Sequence, residues 1–106
     1  MRELSGDATS VLLRALGRRL GAAEWRIENL ASDEWASVTF TGARHAVTLI
    51  LGGADAAANA DRFLDGLEAA EFRLRGHILA DIALVQREDG MESVRLRIEA
   101  LTVEES

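Results

Sequence analysis

The sequence contains no cysteine, no proline and no lysine among its 106 residues. Without cysteine the chain forms neither a disulfide nor a thiolate metal site, so its core must be held together by packing. Without proline, and with no internal repeat or low-complexity stretch, nothing in the sequence marks a domain boundary. The length is that of one ordinary domain, and we therefore expect a single α+β domain over residues 1–106.

Long apolar stretches are also missing. The first seven residues carry no apolar run, which predicts a chain without a signal peptide, and no run approaches the roughly 20 residues of a membrane span. Eighteen acidic and 12 basic residues give a net charge of −6, which repels phosphate backbones. We therefore expect a cytoplasmic protein with no membrane partner and no nucleic-acid partner.

Two segments have the apolar spacing of amphipathic helices. The first runs from about Asp7 to Leu20, where Ser5 or Asp7 can cap its start and Gly21 can end it. The second follows Asp55, which can cap it. The apolar stripes that predict these helices are Leu12, Leu13, Leu16 and Leu20 in the first, and Ala56, Ala60, Phe63, Leu64 and Leu67 in the second.

Five segments alternate apolar and polar residues as strands do. They are Trp25–Leu30, Trp35–Phe40, His45–Leu51, Phe72–Gln86 and Glu92–Val103. Ala31-Ser32-Asp33 is predicted to be a turn between the first two. The element order is then α-β-β-β-α-β-β, with a largely antiparallel five-stranded sheet and both helices on one face.

The strand pairings follow from the turns. Gly42 suits a two-residue turn that places Phe40 opposite His45 and Val38 opposite Val47. A three-residue loop, Asp89-Gly90-Met91, gathers the apolar residues of the last hairpin on one face. It places Ile82 opposite Ile98.

With these pairings, several large apolar side chains point away from the helices. Trp35 is predicted opposite Ile50, Leu79 opposite Leu101, and Val103 near His77. A sheet face turned to water seldom carries such residues, and each is worth roughly 1.5–3 kcal/mol when buried. Curling of the sheet or a register slip near Glu99-Ala100-Leu101 would bury them within the chain. Alternatively they form an interface, and two-fold self-association is the commonest kind.

Candidate chemistry is sparse. His45 is predicted on the core side, as a rim histidine or as a general base or ligand. His77 and Asp81 are predicted on one face with Glu99 opposite Asp81, a set that could bind a divalent metal. No nucleophile or partner stands at a fixed spacing from His45, and the second set would lie on an open sheet face without surrounding residues that orient the ligands. We therefore expect no catalytic site, no bound metal and no cofactor.

The element order, the acidity, the size and the opening helix Val11-Leu12-Leu13-Arg14-Ala15-Leu16-Gly17 resemble the type III secretion chaperone-like fold. The resemblance implies a small acidic homodimer that presents grooves to a protein client. Our leading hypothesis from the residues is a non-enzymatic protein–protein interaction domain that forms a homodimer through Trp35, Ile50, Leu79, Leu101 and Val103. The alternatives are a small enzyme or ligand binder that uses His45, or His77 with Asp81 and Glu99, and a secretion-chaperone-like protein.

Overall fold

The computed structural model describes residues 7–105 as two helices against a four-stranded antiparallel sheet. In chain order the elements are α1 (Ala8–Leu20), β1 (Trp25–Ala36), β2 (Thr41–Gly52), α2 (Ala56–Leu64), a 3-10 turn (Leu67–Ala69), β3 (His77–Asp89) and β4 (Ser93–Glu104). The strands lie in the order β1-β2-β4-β3. The expected α+β composition and antiparallel sheet are confirmed, but the five strands and the order α-β-β-β-α-β-β are wrong.

The first error is a turn that does not exist. Ala31-Ser32-Asp33 continues β1, where these residues pair with Ala46, His45 and Arg44 of β2. The two predicted strands Trp25–Leu30 and Trp35–Phe40 are therefore one strand of 12 residues that ends at Ala36. Short polar residues favour turns in general, but β1 is an exposed edge strand, where polar side chains lose no hydration by staying in the sheet.

The turn between β1 and β2 lies four residues earlier than predicted. Ser37 closes it: its N–H donates to the carbonyl of Phe40 (2.7 Å), and its hydroxyl accepts from the Phe40 N–H (3.0 Å). Val38 is fully exposed at the tip. His45 therefore lies opposite Ser32 and Val47 opposite Leu30, so the predicted partners Phe40 and Val38 are wrong.

The last hairpin has a different register from the predicted one. Ile82 pairs with Ala100 and Leu84 with Ile98, because the loop lies further along the chain than predicted, with Asp89 and Val94 as the pair next to it. Two irregularities in β3, between Leu84 and Gln86 and between Leu79 and Asp81, then bring the register closer to the predicted one. Such bulges add a residue to one strand and move all later side chains relative to the partner.

Both helices are confirmed. Asp7 caps α1 by accepting a hydrogen bond from the Thr9 N–H (3.0 Å), and Gly21 ends it at a φ of 63°. Asp55 precedes α2 without a side-chain cap, and Ser5 lies outside the described residues. The apolar stripes of both helices pack on alternate residues of the two central strands, which fixes the core: Leu12, Leu16, Leu20, Ala56, Ala60, Phe63, Val47, Leu49, Leu51, Val94, Leu96 and Ile98.

The sheet is longer than its helical cover. Strands of 12 or 13 residues extend about 40 Å at 3.3 Å per residue, whereas the 13 residues of α1 span about 20 Å. Both helices lie on the same side of the sheet. Within residues 7–105, no element covers the opposite side.

Candidate interaction face of the sheet

The side chains that point away from the helices form what we call the open face. The strand register aligns them in rows across the sheet in the order β1, β2, β4, β3. We take the rows in order from the end of the sheet that carries the β1–β2 turn, and we call the first of them the apolar row. The first three rows are Trp35, Gly42, Val103 and Ile78; then Asp33, Arg44, Leu101 and Asp81; then Ala31, Ala46, Glu99 and Ala83.

The remaining two rows are polar. They are Asn29, Thr48, Arg97 and Gln86, and then Arg26, Ile50, Arg95 and Glu88. Arg95 joins the two edge strands at this end, because its guanidinium donates to Glu28 at 2.8 and 2.9 Å and to Glu88 at 3.0 Å. The hydrogen bond from Arg95 lowers the pKa of the Glu28 carboxyl. This end of the face is adapted to water.

The apolar row has the opposite character. The indole of Trp35 is half-buried and lies on Gly42: a Cβ added to that glycine would meet Trp35 Cζ2 at 2.7 Å and would overlap the Thr102 carbonyl oxygen. The Trp35 Nε1 atom is buried and has no hydrogen-bond partner among the described residues. Ile78 is 52% exposed beside half-buried Val103. Gly42 is thus a packing glycine, not the turn residue that we predicted.

Small residues make the middle of the open face concave. Ala31, Ala46 and Ala83 border a groove of about 360 Å³. Its charged lining consists of Asp33, Arg44, Asp81 and Glu99. None of these four makes a salt bridge with another described residue. The groove therefore presents both signs of charge without internal neutralisation.

The structure brings together three of the five residues predicted for an interface. Trp35, Leu101 and Val103 lie at the end of the open face next to the β1–β2 turn. Ile50 lies at the polar end, opposite Arg26 and not opposite Trp35. Leu79 lies on the helix side, packed against the core and paired with Thr102 instead of Leu101.

Two members of the apolar row were missed from the sequence. Ile78 replaces Leu79, because the irregularity between Leu79 and Asp81 exchanges the faces of neighbouring residues. Gly42 was assigned to a turn. The alternation of apolar and polar residues in β3 would place Ile78 on the open face, but only if the position of the bulge were known.

His45 does lie on the helix side, where it is 2% exposed. Its Nδ1 is 2.8 Å from the Ser32 hydroxyl and its Nε2 is 3.0 Å from the Thr102 hydroxyl. Ser32 is in turn 3.0 Å from the hydroxyl of Thr9 at the start of α1. These side chains link α1, β1, β2 and β4.

One proton arrangement satisfies this chain of hydrogen bonds. The Thr102 hydroxyl donates to the Ala43 carbonyl (3.4 Å), so it accepts from His45 Nε2–H, and Nδ1 accepts from the Ser32 hydroxyl. Burial lowers the pKa of His45, with Asp7 opposing the effect. A neutral imidazole held at both nitrogens ties the elements together.

The second candidate group is not brought together. His77 lies on the helix side with Leu79, and its Nδ1 is 3.0 Å from the Arg75 carbonyl oxygen. Asp81 lies on the open face opposite Leu101, one row from Glu99. Over residues 7–105 there is no cluster of three histidine or carboxylate side chains arranged to hold a metal ion. The predicted common face for His77 and Asp81 is wrong because a bulge intervenes.

No helix among residues 7–105 combines the length and apolar character needed to cross a bilayer. The resemblance to the type III secretion chaperone-like fold stays a prediction. Comparison of the chain with protein-family models, with curated proteins and with solved structures found no match.

Proposed function

We propose that the chain is a non-enzymatic protein–protein interaction domain, and that it pairs with a second copy of itself through the open face. The observation that carries the proposal is the apolar row. Trp35, Ile78 and Val103, next to Leu101, lie on a side of the sheet that has no cover within residues 7–105. Contiguous apolar residues on an antiparallel sheet face are typical of an interface.

The charges support a second copy as the partner. The open face carries four arginines, Arg26, Arg44, Arg95 and Arg97, and five carboxylates, Glu28, Asp33, Asp81, Glu88 and Glu99. The net charge of the open face is therefore −1, although the whole chain carries −6. Two identical chains therefore repel each other less through this face than the net charge of the chain implies, and unneutralised charges of both signs can pair across it.

The non-enzymatic role is supported by the use of His45. Both of its ring nitrogens contact hydroxyls of residues that hold the strands and α1 together. Ser32, whose hydroxyl contacts one of these nitrogens, lies on an exposed edge strand.

Light scattering with a matched pair of variants tests the proposal. We expect the wild-type chain to be a dimer at about 100 µM, a micromolar affinity. Ile78→Glu places a charge in the apolar row and should raise the dissociation constant at least about tenfold, because the lost burial is worth roughly 1.5–3 kcal/mol.

Met91→Glu is the control. Met91 is an exposed apolar residue like Ile78, but it lies in the loop between β3 and β4, outside the sheet. The control should leave the dimer unchanged. A wild-type chain that is monomeric at about 100 µM would refute the proposal.

A further inference from the structure

We infer that the two copies are related by a two-fold axis that runs parallel to the strands, so that β1 of one copy lies over β3 of the other and Arg44 pairs with the partner's Glu99. This inference rests on the proposed pairing through the open face and specifies its geometry. It follows from the order of the rows and from which charges lack an ion pair.

Two sheets that pack face to face with their strands roughly aligned leave two directions for a two-fold axis between them, along the strands or across them. If it runs along the strands, each row faces its own copy, with β1 over the partner's β3 and β2 over the partner's β4. If it runs across the strands, the apolar row faces the polar end of the partner.

The composition of the rows decides between them. With an axis across the strands, Trp35 and Ile78 would cover the charges around the partner's polar end, where the Arg95 guanidinium already bonds Glu28 and Glu88. Those charges would lose water and gain nothing in return. With an axis along the strands, the apolar row packs on the partner's apolar row and each polar row packs on the same polar row of the partner. Apolar area is then buried while the ion pairs stay within the polar rows.

The middle of the face supplies charge complementarity in the same arrangement. The partner's β4 lies over β2, which places the partner's Glu99 above Ala46 and therefore diagonally beside Arg44. Neither Arg44 nor Glu99 has a salt bridge within the described part of its own chain. The symmetry forms this pair twice. Asp33 faces the partner's Asp81, but at the outer strands, where water and salt screen the repulsion.

Thiol crosslinking tests the axis directly, since the chain has no cysteine of its own. The two sites are Ala31 on β1 and Ala83 on β3, which belong to the same row. In one chain they are three strand spacings apart, about 14 Å. With an axis along the strands, Ala31 faces the partner's Ala83 at about one sheet separation, roughly 10 Å.

The double variant Ala31→Cys/Ala83→Cys should therefore give a covalent dimer with a bis-maleimide that spans about 10 Å, measured on a denaturing gel. Either single variant alone should remain a monomer on that gel. An axis across the strands reverses the result, because Ala31 would then face the partner's Ala31 and the single variant would crosslink. That outcome overturns the inference.

Charge reversal provides a second measurement that needs no crosslinker. Arg44→Glu and Glu99→Arg should each weaken the dimer about tenfold, and the combined variant should recover most of the loss. A dimer in light scattering without crosslinking of the double variant and without this recovery contradicts the axis but leaves the proposed pairing intact. A monomeric wild type contradicts both.

Discussion

Replacing Gly42 with alanine should destabilise the fold severely, and for a reason that differs from the one its sequence context indicates. The added Cβ would overlap the Thr102 carbonyl oxygen and would lie 2.7 Å from Trp35 Cζ2. Both contacts are well inside the 3.4–4 Å of ordinary van der Waals contact. The oxygen belongs to the backbone of β4, so rotation of a side chain cannot relieve it.

The size of the effect follows from that geometry. Overpacking by a methyl group costs about 1–3 kcal/mol, and we expect the upper end, because the pairing of β2 with β4 must shift. With a urea slope of roughly 1–3 kcal/mol per molar, the unfolding midpoint should fall by about 1 M or more. Equilibrium urea unfolding followed by circular dichroism at one fixed protein concentration measures it.

Two further variants make the explanation refutable. A glycine needed for a left-handed turn conformation is partly replaced by asparagine, but the φ of Gly42 is not positive. Gly42→Asn should therefore be at least as destabilising as Gly42→Ala. Gly90→Ala, where the nearest atom is the rotatable Ser93 hydroxyl at 3.2 Å, should cost little. If Gly42→Asn unfolds at the wild-type midpoint, the packing explanation is wrong.

Three other predictions concern buried polar atoms. Burial lowers the pKa of His45 below its ordinary 6.5, so in acid the folded state holds fewer protons than the unfolded state. The contribution of His45 to stability should therefore be full above pH 6.5 and fall below it. His45→Gln should flatten the dependence of the urea midpoint on pH in that range. Thr102→Val leaves His45 Nε2 unpaired and should lower the unfolding free energy by about 1–3 kcal/mol, whereas Thr102→Ser keeps the hydroxyl and should cost only the buried methyl group, about 0.8 kcal/mol. Trp35→Phe removes the unpartnered N–H together with the indole atoms that lie on Gly42, so the melting temperature should fall less than for Trp35→Ala.

The helices and the core could be predicted from the sequence, because their signals are local. Asp7 and Gly21 mark the ends of α1 through bonds to residues within one turn. The buried residues Ala56, Ala60 and Phe63 of α2 recur at helical spacing. Alternation in the two central strands likewise identified Val47 and Ile98 as core residues.

The strand pairings could not be predicted, because they depend on contacts between distant residues. Ser32 is a residue type that favours turns, but it lies within β1, where its hydroxyl bonds His45, 13 residues later. Gly42 has the composition of a hairpin turn, but it pairs with Trp35 in the sheet. In each case a tertiary contact overrides a local preference, and a single sequence holds no record of that contact.

The bulges explain why the candidate face was predicted only in part. Strand residues alternate with a period of two, so one inserted residue exchanges the two faces for all that follows. In β3 this exchange moves Leu79 into the core and puts Ile78 on the open face, while it separates His77 from Asp81. β2 and β4 pair without interruption. No bulge separates the residues of these two strands that the proposal uses, which are Arg44, Glu99, Leu101 and Val103. The charge pairing and the apolar contact that we propose therefore depend mainly on two regular strands.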